Sequence, residues 1–255
     1  MSYFCLGVRI DEVEKREALE QIRAFLNENG QKKIFTPNPE MLMEAHKNPE
    51  FAEILNRGNL NVCDGIGLAL VSSGRLKRIP GTDLMIDICA FAEEQESSVY
   101  FIGGGANAQF RQEMRRKFPE LKFTSNTGPE LQGTRYKVQD PQSKESIQII
   151  DDINKVKPSI LFVGFGHGKQ EWWIDTYLKE MPSVKVAMGV GGAFDFVSGK
   201  ATRAPKIFRM VGLEWLWRLI LEPKRIKRIW RAVFRFPILF LGTQMLRTKE
   251  IDTNQ

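Results

Sequence analysis

A chain of 255 residues, 42% apolar and 27% charged, can bury one sizeable α/β core, which excludes wholesale disorder. Its three cysteines, Cys5, Cys63 and Cys89, show no CxxC spacing. They argue against a disulfide framework or a zinc site and for a reducing, cytoplasmic compartment, and two histidines are too few for a His-rich metal centre. The net charge of +6 is uneven: residues 203–249 carry 12 Lys/Arg against 2 Asp/Glu, so the rest is net negative and this segment calls for an anionic partner.

The start, Met1 to Arg9, lacks the basic-then-apolar plan of a signal peptide and reads as a first strand over Tyr3–Val8. No run of about 20 apolar residues follows anywhere, so no spanning helix is expected. Further strands are predicted at Lys33–Thr36, Leu60–Cys63, Val99–Gly103, Leu121–Thr124, Ile160–Gly164 and Val184–Val190. Helical spacing of apolar residues marks Val13–Asn27, Asp83–Glu94, Asn107–Phe118, Lys144–Lys155 and Lys169–Glu180. Gly128–Ser143 is polar and turn-rich, the pattern of a long surface loop. Strands alternating with helices imply an α/β fold: a mostly parallel sheet covered on both faces.

Beyond residue 203 the character changes. Gly212–Pro223 reads as a helix ended by proline. From Lys224 to Phe236, basic residues interleave with apolar ones; on a helix Ile226, Ile229, Trp230, Val233 and Phe234 share one face. That is the pattern of a basic helix lying in a membrane interface, and it is compatible with packing on the protein's own body. The division expected is an α/β core over 1–202 and a basic amphipathic appendage over 203–255.

Three predicted strands end in glycine-rich turns, at Gly103-Gly104-Gly105, Gly164-Phe165-Gly166-His167-Gly168 and Gly189-Val190-Gly191-Gly192. Ligands of open parallel sheets bind beyond the carboxyl ends of the strands, and glycine lets backbone approach a phosphate closely. Three such loops favour a nucleotide or sugar-phosphate pocket that includes Gly103, Gly166 and Gly192; each loop alone could be a tight turn. Lys169, Gln170 and Glu171 are expected in a first helical turn facing that cleft.

Asp64, in CDGIGL, stands where a strand ends and can serve as general base or as a helix cap. In TPNPE, Thr36 and Asn38 suit sugar hydroxyl or N-acetyl groups, or else cap a helix. Asp195 could hold a base or ribose, or tie down its own turn. No hydrolytic triad is found. No Asp-x-Asp pair is present to hold a metal on a pyrophosphate, so no metal or cofactor is expected and arginines would carry the phosphate charge. A nicotinamide-dependent oxidoreductase is disfavoured because no GxGxxG opens a helix with an acidic residue about 20 positions on. A nucleic-acid-binding module is disfavoured by the apolar face of the basic helix.

The segments TPNPEM, CDGIGL, RIPGTDL, YFIGG, FVGFGHGKQEWW, GVGGAFDFVSGKATRAP and GLEWLWRLILEPKRIKR, in this order, resemble the WecG/TagA/CpsF family of glycosyltransferases. The resemblance runs from about Thr36 to Phe240. It implies a Rossmann-like core and an inverting, metal-independent transferase. The implied donor is UDP-N-acetylmannosamine and the implied acceptor undecaprenyl-pyrophosphate-linked N-acetylglucosamine, joined β-1,4. A donor carrying the uronic acid of that sugar, or a UDP-hexose, is the alternative. On the matching motifs Asp64 falls at the base position, Thr36 at a sugar contact and Gln170 in the pocket. Arg78, Arg218, Arg225 and Arg228 fall at arginine positions, the last three handling diphosphate. Gly168 stands where the family commonly has proline. The implied location is cytoplasmic, peripheral on the inner face of the membrane, with self-association possible in the family and no nucleic-acid partner.

Overall fold

The structure, a computed structural model, describes residues 1–128, 131, 133–134, 137–138, 143–205, 208, 212–221, 223 and 226–243; for 133–134, 137–138, 218 and 227–228 it describes the backbone alone. Among the described residues ten strands precede the C-terminal segment. They are β1 (Ser2–Cys5), β2 (Val8–Asp11), β3 (Lys32–Phe35), β4 (Leu60–Asn61), β5 (Val99–Ile102), β6 (Phe123–Asn126), β7 (Gly133–Thr134), β8 (Lys137–Val138), β9 (Ile160–Val163) and β10 (Val186–Gly189). Six of them form one parallel sheet in the order β4-β3-β10-β9-β5-β6.

The strands β5, β9 and β10 are buried along their whole length. Alternate residues serve the two faces, as a two-residue period requires. Tyr100, Ile102, Leu161, Val163 and Ala187 join one core cluster, and Val99, Phe101, Ile160, Phe162, Val186 and Met188 join the other. The first face is covered by α2 (Pro39–Ala45), α3 (Pro49–Asn56), α4 (Ile66–Val71), α7 (Lys144–Val156) and α8 (Lys169–Tyr177). The second is covered by α1 (Lys15–Asn27), α5 (Gly81–Glu94), α6 (Ala108–Lys117) and α9 (Ala193–Val197). Neighbouring strands β9 and β10 thus send their following helices to opposite faces, which opens a crevice at their carboxyl ends.

Three local features differ from the sequence expectation. The first strand is a hairpin, because Leu6 (φ 50°) and Gly7 (φ 86°) turn the chain between β1 and β2. Two successive positive-φ residues make the hairpin turn that matches strand twist, and leucine does not advertise it. Helices α2 and α3 begin at Asn38-Pro39 and Asn48-Pro49. Asn38 accepts from the backbone N–H groups of Glu40 and Met41, Asn48 accepts from that of Phe51, and proline takes the first helical position. Within 128–143 the short strands β7 and β8 pair antiparallel.

The C-terminal segment folds back onto the body. It contains α10 (Glu214–Leu221), α11 (Ile226–Trp230), a π-helical turn (Arg231–Arg235) and further helix over 236–243. Pro237 has no N–H and crowds the carbonyl four residues before it, and the turn ahead of it widens so that the Phe236 N–H bonds to Arg231 O. Phe236 and Phe240 are buried in the core cluster that holds Met41 and Leu68, each contributing about 1.5–3 kcal/mol by burial. Ile226, Trp230, Phe234, Ile238 and Leu241 form an exposed stripe on the other side, while Ile229 and Val233 are half-buried. Among the described residues no helix is long and apolar enough to cross a membrane.

Candidate functional site

Two groups of residues meet at the carboxyl end of the sheet. The first follows the edge pair β4 and β3. Beyond Asn61 the chain stays extended: Val62 N–H bonds to Phe35 O, Asp64 N–H to Pro37 O, and Ile79 N–H to Cys63 O. These bonds fix Asp64 beside Thr36. Gly81, the first residue of α5, packs against both: a Cβ there would lie 3.4 Å from Thr36 Oγ1 and 3.6 Å from Asp64 Oδ2. Thr36 is buried and Asp64 half-buried. Burial pushes the adjacent Cys63 thiol up to about 12, with the Asp64 charge adding to it, so Cys63 is no nucleophile at neutral pH.

A cavity of about 220 Å³ opens beside Asp64. Asn38, Glu40 and Arg78 line it from the body, and Glu214, Trp215, Ile229 and Ala232 line it from the C-terminal segment. An ion pair joins the two sides, with Arg78 Nη2 3.0 Å from Glu214 Oε2. Both side chains are largely shielded, at 16% and 12% exposure, so the pair holds the segment down in a way an exposed pair would not. A second pair, Arg203 to Asp83 at 2.5 Å, ties the start of the segment to α5.

The second group is the set of glycine loops after β5, β9 and β10. Gly103 adopts φ 145°, and a Cβ on it would come within 2.5 Å of Gly164 O, so two loops cross here by backbone alone. Gly166 (φ 82°) and Gly168 (φ 92°) turn the chain into α8. Gly192 is exposed at the start of α9. Asp195 lies against Gly105, is 3.8 Å from Lys200, and its carbonyl accepts from Ala201 N–H. Phe194 anchors α9 on the rings of Phe101 and Phe110.

Gln170 and Glu171 lie beneath these loops, 2% and 0% exposed, and not on the face of a cleft. Glu171 Oε2 accepts from Gly168 N–H at 2.5 Å, and its Oε1 accepts from Gln170 Nε2 at 2.7 Å. Gln170 Oε1 in turn accepts from Gly191 N–H at 2.8 Å. The chain of bonds clamps the loop before α8 to the loop after β10. Burial raises the Glu171 carboxyl from an ordinary 4.5 to about 7, against the pull of its bonds to Gln170 and Gly168. The physical reason is local: a glutamate at the third position of a helix folds back onto the N–H ahead of it. Lys169 does reach outward, donating to Leu131 O beside a second cavity bounded by Gly104, Gly128 and Gly164.

Of the residues expected from sequence, Thr36, Asn38, Asp64 and Arg78 gather on the β4–β3 side. Asn38 serves as a helix cap and also faces the cavity. Gly103, Gly166, Gly192 and Asp195 gather at the glycine loops. The two groups touch where His167 Nε2 stands 3.3 Å from Glu40 Oε2. Arg225 and the side chains of Arg218 and Arg228 lie outside the described residues. Sequence reasoning missed Glu214, Trp215 and Gly81 as parts of the site. The only signal was their position inside the quoted motifs, because their partners lie more than 100 residues away for Glu214 and 17 to 45 residues away for Gly81. Among the described residues no three His, Cys, Asp or Glu side chains gather as a metal site would need.

A family described as "Glycosyl transferase WecG/TagA/CpsF family" matches residues 3–250. A protein of Staphylococcus aureus strain MRSA252 is 32% identical over 235 residues, 88% of this chain and 86% of its own. Its name is N-acetylglucosaminyldiphosphoundecaprenol N-acetyl-beta-D-mannosaminyltransferase. Proteins of the same name from strains NCTC 8325 / PS 47 and COL are each 31% identical over the same shares.

Proposed function

Because the chain belongs to the WecG/TagA/CpsF family of glycosyltransferases, we propose that it moves N-acetylmannosamine from its UDP carrier to N-acetylglucosamine linked through diphosphate to undecaprenol, inverting the anomeric centre and using no metal. The observation that carries this reading is the place of Asp64: half-buried, beside Thr36, in the wall of a cavity that Arg78 also lines.

In this mechanism the donor diphosphate rests over the glycine loops, whose backbone N–H groups and helix starts suit an anion. Asp64 takes the proton of the acceptor hydroxyl. The freed oxygen bonds to the anomeric carbon from the side opposite UDP, and UDP leaves with the electron pair of the broken bond. General-base help of this kind is worth about 10²–10⁴ in rate. Arg218, Arg225 and Arg228 of the 203–255 appendage offset the charge on the departing diphosphate, and Arg78 holds that appendage through Glu214. Gln170 and Glu171 act through the loops they hold. The exposed stripe from Ile226 to Leu241, beside Arg231 and Arg235, seats the enzyme on anionic lipid where the acceptor resides.

The test is turnover with UDP-N-acetylmannosamine and a soluble prenyl-diphosphate-linked N-acetylglucosamine. The Asp64→Asn variant should lose turnover while still binding UDP. Near-normal turnover would remove the base assignment, and a strict need for Mg²⁺ or Mn²⁺ after EDTA treatment would remove the metal-free mechanism. A panel of UDP-sugars identifies the donor; faster transfer from the uronic acid or from a hexose would replace N-acetylmannosamine.

A further inference from the structure

We infer that the cavity beside Asp64 seats the acceptor's sugar ring, and that Trp215, delivered by the C-terminal segment, is the wall on which the ring rests. The inference builds on the proposed transfer reaction and adds to it the acceptor subsite and its binding residue.

Sheet order is the first argument. The glycine loops follow β10, β9 and β5, whereas Asp64 and Thr36 follow the adjoining strands β4 and β3. A donor lying over the loops is attacked from the β4 side. The space there is the cavity of about 220 Å³. Its lining is the second argument. Asn38, Asp64 and Arg78 contribute polar groups to it, and Trp215, Ile66 and Ile229 contribute apolar surface. A hexosamine has this double character, with hydroxyls around its edge and C–H groups across its face. A few placed polar groups against an apolar wall is how small-molecule sites fix orientation. The exit is the third argument. Ile229 and Ala232 border the cavity, and their helix turns Trp230 and Phe234 outward. A ring seated at Asp64 therefore points its diphosphate and lipid tail toward the exposed stripe. The Arg78–Glu214 pair holds Trp215 in this position, one residue from the anchor.

The experiment uses the full chain with Trp215→Ala, Trp215→Phe and Ile229→Trp. Rates are measured with UDP-N-acetylmannosamine and the soluble acceptor, and UDP affinity by calorimetry. Trp215→Ala should raise the acceptor KM about tenfold or more, the scale of a buried tryptophan contact, and leave donor KM and UDP affinity unchanged. Trp215→Phe, keeping a ring, should recover most of that loss. Ile229→Trp fills the cavity without removing a side chain and should raise the acceptor KM likewise. An unchanged acceptor KM in Trp215→Ala overturns the inference, as does a change confined to the donor. Should Trp215→Ala melt below the assay temperature, an unchanged acceptor KM in Ile229→Trp overturns it equally. No turnover of the unaltered chain with any UDP-sugar and this acceptor would mean that the transfer reading itself has failed. An inactive Asp64→Asn with a normal acceptor KM in the other variants would mean that only the acceptor subsite has.

Discussion

The two halves of the site are built by opposite means. On the glycine side the surface is backbone, and the side chains that matter, Gln170 and Glu171, are buried and work from underneath. On the Asp64 side the surface is side chain, and part of it arrives from a segment about 150 residues further along, held by Arg78–Glu214 and Arg203–Asp83. A surface made of backbone is damaged by adding atoms, and a surface made of side chains by taking them away. The glycine side is thereby preset, whereas the Asp64 side is complete only when the C-terminal segment is in place.

The largest expected effect removes one group from the side-chain half. Asp64→Asn should lower turnover by about 10²–10⁴ with UDP affinity retained, measured by initial rates and calorimetry; a parallel loss of UDP affinity would mean that the halves are not separate. Next is the outer face of the segment. Trp230→Ser with Phe234→Ser should weaken binding to anionic vesicles by about tenfold to a hundredfold, given the area those two side chains could bury. Turnover on the soluble acceptor should stay near normal. Gly189→Ala adds an atom to the backbone half. Its Cβ would stand 2.7 Å from Gln170 Nε2 and 3.0 Å from Glu171 Oε1. Overpacking of this kind costs about 1–3 kcal/mol. It should appear as a lower melting temperature together with weaker UDP binding, and acceptor KM should not move. The last effect is the pH dependence that Glu171 confers. Its folded carboxyl titrates near 7 in place of 4.5, so between those values the folded state holds more protons than the unfolded one. Its contribution to stability must then decline as pH rises through that window and level off above it. Melting temperatures of wild type and Glu171→Gln across that range should show this slope in the wild type and lose it in the variant.

Much of this architecture was legible from the sequence. Apolar runs such as Ile160–Val163 marked strands because a doubly covered sheet needs apolar residues at every position. The glycine turns marked the carboxyl ends because only glycine tolerates φ values such as those of Gly166 and Gly168. Thr36 and Asp64 were legible as candidates because each follows a strand. Other features depend on contacts that no local pattern carries. Gln170 reads as a polar residue at a helix start, and its burial follows from the nearness of Gly189 and Gly191, about 20 residues on. The C-terminal helix read as having one apolar face. It has two, because Phe236 and Phe240 point inward after the widened turn while Trp230 and Phe234 point outward before and within it. Helices α2 and α3 are signalled only by Asn-Pro repeated ten residues apart.

The widened turn at 231–235 has a geometric consequence of its own. Each residue of an ordinary α-helix advances the azimuth by about 100°. Winding the same residues as regular α-helix, without the extra residue the wide turn absorbs, would swing everything beyond it by about that angle. Phe236 and Phe240 cannot leave the core cheaply, so the rotation would fall on the part before the turn, which carries Trp230 and Ile229. The bulge thus acts as a phase-setter. It fixes the bearing of the outward stripe relative to Asp64, and so the tilt at which the protein would meet a flat surface.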